Sequence, residues 1–337
     1  MAEAGRRRRW WRVVLPAFLA LAAAGWFARG VLTDAAGWAG ARAVDAAAAI
    51  EGWATELRGM AEALPEDSAD EGPSTGVSRS VLIALGAEQD GCAFALASVS
   101  AEGEVALTLL PQSLLGVVPG YGEFTLAEAL VFEDADLVAL TVTNLLGVRV
   151  DRVLALAPGS LAAALPAEVA VDLPVPLFAA TGDGIGEVVA AGRQSVDRGA
   201  VERLLVDTGI GGPFEWLQRQ GAAWAGVLGA VAADPAVADR LTAGMLAGAA
   251  EVAGVLEAVA AAEAAPVRSL PVEQAAAAGD EALVLSAGAM DGFVAAHLGH
   301  LLLRPGERAR VEVLNGNGRI GATRLVAEAV VRRGFQV

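Results

Sequence analysis

The sequence predicts an α/β protein built as layers of helices on a sheet, with a membrane-crossing helix ahead of it and part of a small second α/β domain behind it. Three observations predict this. A charge-free apolar segment follows a cluster of arginines, Arg6 to Arg9 and Arg12. Strand-length apolar runs alternate with helical stretches between Val81 and Leu303. After a break at Arg304 to Glu307, a strand-like stretch, a glycine turn and an amphipathic helix follow one another.

Taken in order, residues 1–12 read as a basic cytoplasmic tail. The five arginines against Glu3 give it a charge of +4, which leaves −20 on the rest of a chain whose total is −16. So acidic a body repels phosphate polymers, and this argues against nucleic acid as a partner.

Residues 13–33 carry no charge from Val13 to Ala28, with Trp10, Trp11 and Trp26 near the two ends. As a helix they span about 31 Å, enough to cross a bilayer. The arginines place the N-terminus inside and the bulk of the chain outside the cytoplasm, so the expected location is a single-pass protein of the cell membrane. A cleaved secretory signal is the competing reading of the same pattern.

Residues 34–64 read as a helical stalk, because Ile50, Trp53, Leu57, Met60 and Leu64 fall on one face at 3-4-3-4 spacing. That face either packs on the body or pairs with a second copy. Residues 65–80 (PEDSADEGPSTGVSRS) are polar and rich in breakers, and read as a linker.

The body, residues 81–303, contains the runs VLIAL, AFALASV, EVALTLL, LVALTV and RVLALA, which read as strands covered on both faces. Helices are expected at 125–132, 200–206, 215–231 and 238–262. The single cysteine, Cys92, excludes an internal disulfide and reads as a buried apolar residue.

Residues 309–337 contain Gly316, Gly318 and Gly321 in the spacing G-x-G-x-x-G between a strand and a helix. The further βα units of a nucleotide crevice do not follow, so nucleotide binding is set aside. The stretch VEVLNGNGRIGATRLVAEAVVRRGF resembles the opening of the LytR C-terminal domain, a V-x-V-L-N-G strand and turn followed by a helix ending in R-x-x-G-F. By that resemblance this domain is expected to be truncated.

Several stretches of the body resemble, in order, the LytR-CpsA-Psr (LCP) family of cell-envelope proteins. LTLLPQS (Leu107 to Ser113) resembles the family's strand ending in Pro-Arg-Asp, and VPGYG (Val118 to Gly122), with the only tyrosine, the turn after it. VTNLLGVRVD (Val142 to Asp151) resembles the helix and strand reading V-x-x-L-x-G-I-x-I-D. AGRQSVDRGAVERLLV (Ala191 to Val206) resembles G-x-Q-x-L-D-G-x-x-A-L-x-Y-V-R, and Arg219-Gln220 matches the end of R-x-x-R-Q.

The resemblance implies an αβα domain with a mixed sheet. It also implies transfer of glycopolymers from a polyprenyl-pyrophosphate carrier to the cell wall, with acidic residues holding a divalent metal and arginines gripping the pyrophosphate. Asp151 and Asp197 match family positions that read as structural.

The charged positions depart from the pattern. The Asp-Thr pair falls on Cys92-Ala93, and Pro-Arg-Asp reads Pro111-Gln112-Ser113. The arginines of Y-V-R-x-R fall on Val206 and Thr208, and the first of R-x-x-R-Q falls on Trp216. Arg219 alone remains, either as a phosphate ligand or as a helix-surface partner of Glu215.

Each strong donor to a developing charge is worth about 2.7–4 kcal/mol of barrier. Losing four arginines and a metal ligand therefore predicts a pseudoenzyme with no catalytic residues, no metal and no cofactor. Its expected role is to bind or scaffold in cell-wall biogenesis, with a polyprenyl lipid or glycopolymer as partner and an apolar groove kept for a lipid tail. The alternatives are an active LCP phosphotransferase using Mg²⁺, and a structural partner that binds neither lipid nor sugar. His297 and His300, the only histidines, have the i,i+3 spacing of a metal pair on a helix, but with Asp291 six residues upstream and no other histidine they read as an ordinary part of the helix.

Overall fold

In chain order the elements are β1 (Arg79–Leu85), β2 (Ala93–Val99), β3 (Val105–Leu110), β4 (Leu115–Val118), β5 (Gly122–Thr125), α1 (Leu126–Phe132), α2 (Ala135–Leu146), β6 (Arg152–Leu156) and α3 (Ser160–Ala164). Then come β7 (Glu168–Leu173), β8 (Leu177–Thr181), β9 (Gly184–Val189), β10 (Gly192–Asp197), α4 (Arg198–Val206), α5 (Pro213–Ala233), α6 (Ala236–Thr242) and α7 (Ala249–Ala260). Last are β11 (Val267–Ser269), β12 (Val272–Gln274), β13 (Leu283–Leu285), α8 (Ala287–His297) and α9 (Ala322–Arg332).

This computed structural model describes residues 78–86, 91–132, 134–181, 184–262, 267–275, 282–304, 306, 308–314 and 322–337. All of them fall in one compact unit, Pro73–Val337. The expected tail, membrane helix and stalk, and all but the end of the linker, lie outside the described residues. Among the described residues no single helix is long and apolar enough to cross a membrane.

The central sheet has five strands in the order β11-β3-β2-β1-β6. β1, β2 and β3 are antiparallel neighbours, whereas β6 lies parallel to β1 and β11 parallel to β3, so the sheet is mixed. Alternation along a strand sends neighbouring side chains to opposite faces. Val81, Ile83 and Leu85 pack with α3 to α7, while Leu82 and Ala84 pack with α1, α2 and α8. Both faces being covered explains why these strands read as unbroken apolar runs.

Two expectations are corrected. LVALTV is not a strand but the middle of α2. Asp134 accepts the amide protons of Asp136 and Leu137 at its start, and Gly147, at φ 70°, ends it with its N–H on the Thr143 carbonyl. Ten of its twelve residues are buried, so no polar stripe marks the helical period. The helix expected over 238–262 is two helices, α6 and α7, and Gly248 at φ 76° stands at the start of the second.

The C-terminal segment lies against the body. Arg310 and Gln336 form a parallel bridge, with the Val311 N–H on the Gln336 carbonyl at 2.7 Å. The buried amide of Asn144, at the end of α2, accepts the Val337 N–H at 2.9 Å and donates to the Val117 carbonyl at 2.9 Å.

Candidate functional site

The positions matched to the family's charged groups fall into two places divided by the sheet. Cys92 packs with α1 and α2 on one face, whereas Trp216 and Val206 pack with α4 and α5 on the other.

On the first face, β2 begins beside the end of β3, because Phe94 is paired with Leu110. That register brings Gln112 to Cys92. The Gln112 Oε1 accepts the Cys92 backbone N–H at 3.3 Å and its thiol at 3.2 Å, with both residues buried. Cys92 and Gln112 are themselves neutral and offer no carboxylate to a divalent cation. Ala93 is buried with nothing to donate, and Ser113 is half-buried, its carbonyl accepting the Leu283 N–H at 3.0 Å. Among the described residues no group of three or more His, Cys, Asp or Glu side chains could hold a metal. These residues therefore do not fit the metal that the family resemblance implies.

On the second face, Pro213 opens α5 and its buried stripe includes Trp216, Arg219, Gln220 and Trp224. Trp216 puts its ring in the core and donates its indole N–H to the Leu205 carbonyl at 3.2 Å. Gln220 donates to the same carbonyl at 2.7 Å. Both bonds hold the end of α4 against α5.

Arg219 has no exposed surface. Its guanidinium donates to the Thr208 carbonyl at 2.5 Å and, at the outer limit, to the Pro176 carbonyl at 3.4 Å, while its buried Nε has no partner. Burial pushes its pKa down, and the charges of Glu215 and Asp207 pull the other way. Arg219 is therefore not on the helix surface as a partner of Glu215; its guanidinium holds the 207–209 loop. Thr208 itself is exposed and Val206 half-buried. In the core on this side, the cavity bounded by Ile83, Leu107, Trp224 and Leu256 holds about 10 Å³.

Asp197 caps α4 by accepting the Gly199 and Ala200 N–H groups, and Asp151 bonds Ser80, so both are structural as expected. His297 ends α8 with its ring edge-on to Phe293, and His300 lies beyond it in a 3-10 turn. The two histidines thus do not share a helix face.

No family model and no curated protein sequence matches the chain. Solved structures do. TagV of B. subtilis is 11% identical over 67% of this chain and 97% of that one, with a TM-score of 0.53. TagT bound to LI-WTA is 16% identical over 69% and 94%, with a TM-score of 0.52. The chain has the LCP fold. A transcriptional regulator of Enterococcus faecalis (EF0465) has a TM-score of 0.51 at 16% identity, over 67% of this chain and 88% of that one. The likeness therefore covers the LCP body, and the divergence in sequence leaves the chemistry to be argued from the site.

The residue pattern points to Arg219 and Gln220 but not to the carbonyls they serve. Those belong to the 176–178 and 205–209 segments, which carry no polar pattern of their own. Nor does it single out Asn144 and Arg308, whose partners are backbone atoms distant in sequence.

Proposed function

We propose that this chain is a membrane-anchored, extracytoplasmic LCP pseudoenzyme that binds or scaffolds in cell-envelope biogenesis, with its N-terminus in the cytoplasm. The LCP fold it shares with TagV and TagT supports the cell-wall setting.

One observation carries the conclusion that the site is silent. The single arginine kept from the family pattern commits its guanidinium to protein carbonyls and has no exposed surface. A diphosphate leaving group needs preorganised positive charge that is free to meet it. Here Trp216 and Val206 are packed apolar groups, and Gln112 is engaged by Cys92. What remains is a rigid LCP-shaped surface suited to binding a glycopolymer or a protein of the envelope.

The test is transfer by the full chain reconstituted in lipid, given Mg²⁺ and a glycopolymer on a polyprenyl-pyrophosphate carrier. No transfer is expected. Turnover would establish the active phosphotransferase instead.

A further inference from the structure

A second place where arginines stand without ion pairs is a cavity of about 650 Å³ lined by α8, the end of α2, Arg304, Gly306 and Arg308. Its volume lies in the range of small-ligand sites. Leu146, Met290, Val294 and Leu302 give it an apolar lining, and Arg304 and Arg308 bring two guanidinium groups to it.

Arg308 is half-buried and donates to the Asn144 and Leu145 carbonyls at 2.7 and 2.8 Å. Those bonds cap the C-terminus of α2, whose dipole supplies only about half a negative charge. Arg304 gives its Nε proton to the Arg333 carbonyl at 2.6 Å and sits over the Phe335 ring at 4.6 Å. Among the described residues neither guanidinium is in an ion pair, although the chain carries 40 acidic residues to 24 basic ones. The carboxylate in the described lining, Asp291, lies on the exposed side of α8 and pairs with neither. Burial lowers the Arg308 pKa with no carboxylate charge opposing it, which agrees with the geometry.

Arg304 is exposed and free to meet a ligand, whereas Arg308 is a half-buried cation, and such a charge is costly without a counter-charge from outside. We infer that this cavity binds an anionic amphiphile, a single phosphate or carboxylate head on a hydrocarbon chain of modest length. The head meets Arg304 and the free side of Arg308, and the chain lies on Met290, Val294 and Leu302. The inference is independent of whether the LCP site is silent.

The experiment is native mass spectrometry of the full chain released from detergent micelles, with dodecyl phosphate, dodecanoate and dodecanol as probes. One dodecyl phosphate per chain is expected to remain bound, while uncharged dodecanol does not. Dodecanoate, bound or not, identifies which head is preferred.

Loss of a charge-assisted bond in R304Q should weaken retention about tenfold or more. Because Arg304 also packs on Phe335, A295W serves as a second variant: Ala295 is an exposed residue of α8 lining the cavity, and the indole fills the space without removing a contact. Phosphatidylglycerol in the micelle distinguishes the sources. Displacement of dodecyl phosphate points to a bilayer lipid, and its persistence to a free single-chain amphiphile. Retention unchanged in A295W, equal retention of dodecanol, or no retention of either anion overturns the inference.

Discussion

Replacing Arg219 by Met tests whether this side chain is a clamp or a ligand. Met matches the aliphatic stem closely enough to keep the packing on α5, so the change isolates the guanidinium. The 2.5 Å bond to the Thr208 carbonyl is a charge-assisted bond, whereas the 3.4 Å approach to Pro176 is too long to count for much. A bond of the first kind is worth about 1.5–3 kcal/mol, and its loss leaves a carbonyl without a partner. Against this, R219M removes a buried charge whose Nε is unpartnered, which offsets part of the cost. The balance is a destabilisation of about 2 kcal/mol, or roughly 4–8 °C in Tm for a body of this size. Thermal unfolding of the full chain is conveniently followed by tryptophan fluorescence, since Trp216 and Trp224 are buried on the same helix. A lysine in place of Arg219 reaches only one carbonyl and should recover part of the loss. Unfolding of R219M within about 1 °C of the parent would refute the clamp, and with it the argument that the arginine is already occupied.

Three further outcomes follow from local geometry. D134A removes the side chain that caps α2 through Asp136 and Leu137 and should cost about 1 kcal/mol in urea unfolding. G147A forces a Cβ into a left-handed position at φ 70° and within 2.7 Å of the Arg308 side chain, so it should cost about 1–2 kcal/mol and loosen the C-terminal segment, seen as faster amide exchange at Val337. Burial lowers the His300 pKa from its usual 6.5, while the charges of Glu104 and Glu102 partly restore it. The folded state therefore holds the neutral ring more firmly than the unfolded chain does. Its contribution is fully present above the ordinary value and is lost as the pH falls below it, so H300Q should flatten the loss of stability between about pH 7 and 5.

The architecture was legible where period and length agreed. VLIAL, AFALASV and RVLALA became β1, β2 and β6 because strands covered on both faces need no polar positions. The same feature misled at LVALTV, where a helix buried nearly all round loses its polar stripe and only Asp134 and Gly147 mark its ends. The break between α6 and α7 was signalled by Gly244 and Gly248, but an alanine-rich context hides where a helix stops. At the site, the identities of Cys92, Gln112, Trp216 and Arg219 could be read from the chain, but not their division between two faces. That division follows from alternation along β2 together with the path of α5, and neither is encoded locally.

If missing positive charge is what distinguishes this site, restoring it should create anion binding without restoring transfer. Thr208 is the place to try, because its side chain is exposed and the bond to Arg219 uses its backbone carbonyl, which T208R leaves intact. A new guanidinium there can grip phosphate oxygens in pairs. Asp207 and Glu215 lie close enough to act on Arg219, so they oppose an incoming diphosphate and limit the gain. Millimolar affinity for inorganic pyrophosphate, about 4 kcal/mol, is the expected ceiling for T208R, with no measurable binding by the parent in calorimetry. Transfer should stay absent in both, because Cys92 and Ser113 still stand at the acidic positions and Gln112, at an arginine position, bonds Cys92. Micromolar binding by the parent chain that persists in R304Q and is lost in R219M would mean that Arg219 leaves its carbonyls for a phosphate, and the clamp and the silent site would then fail together.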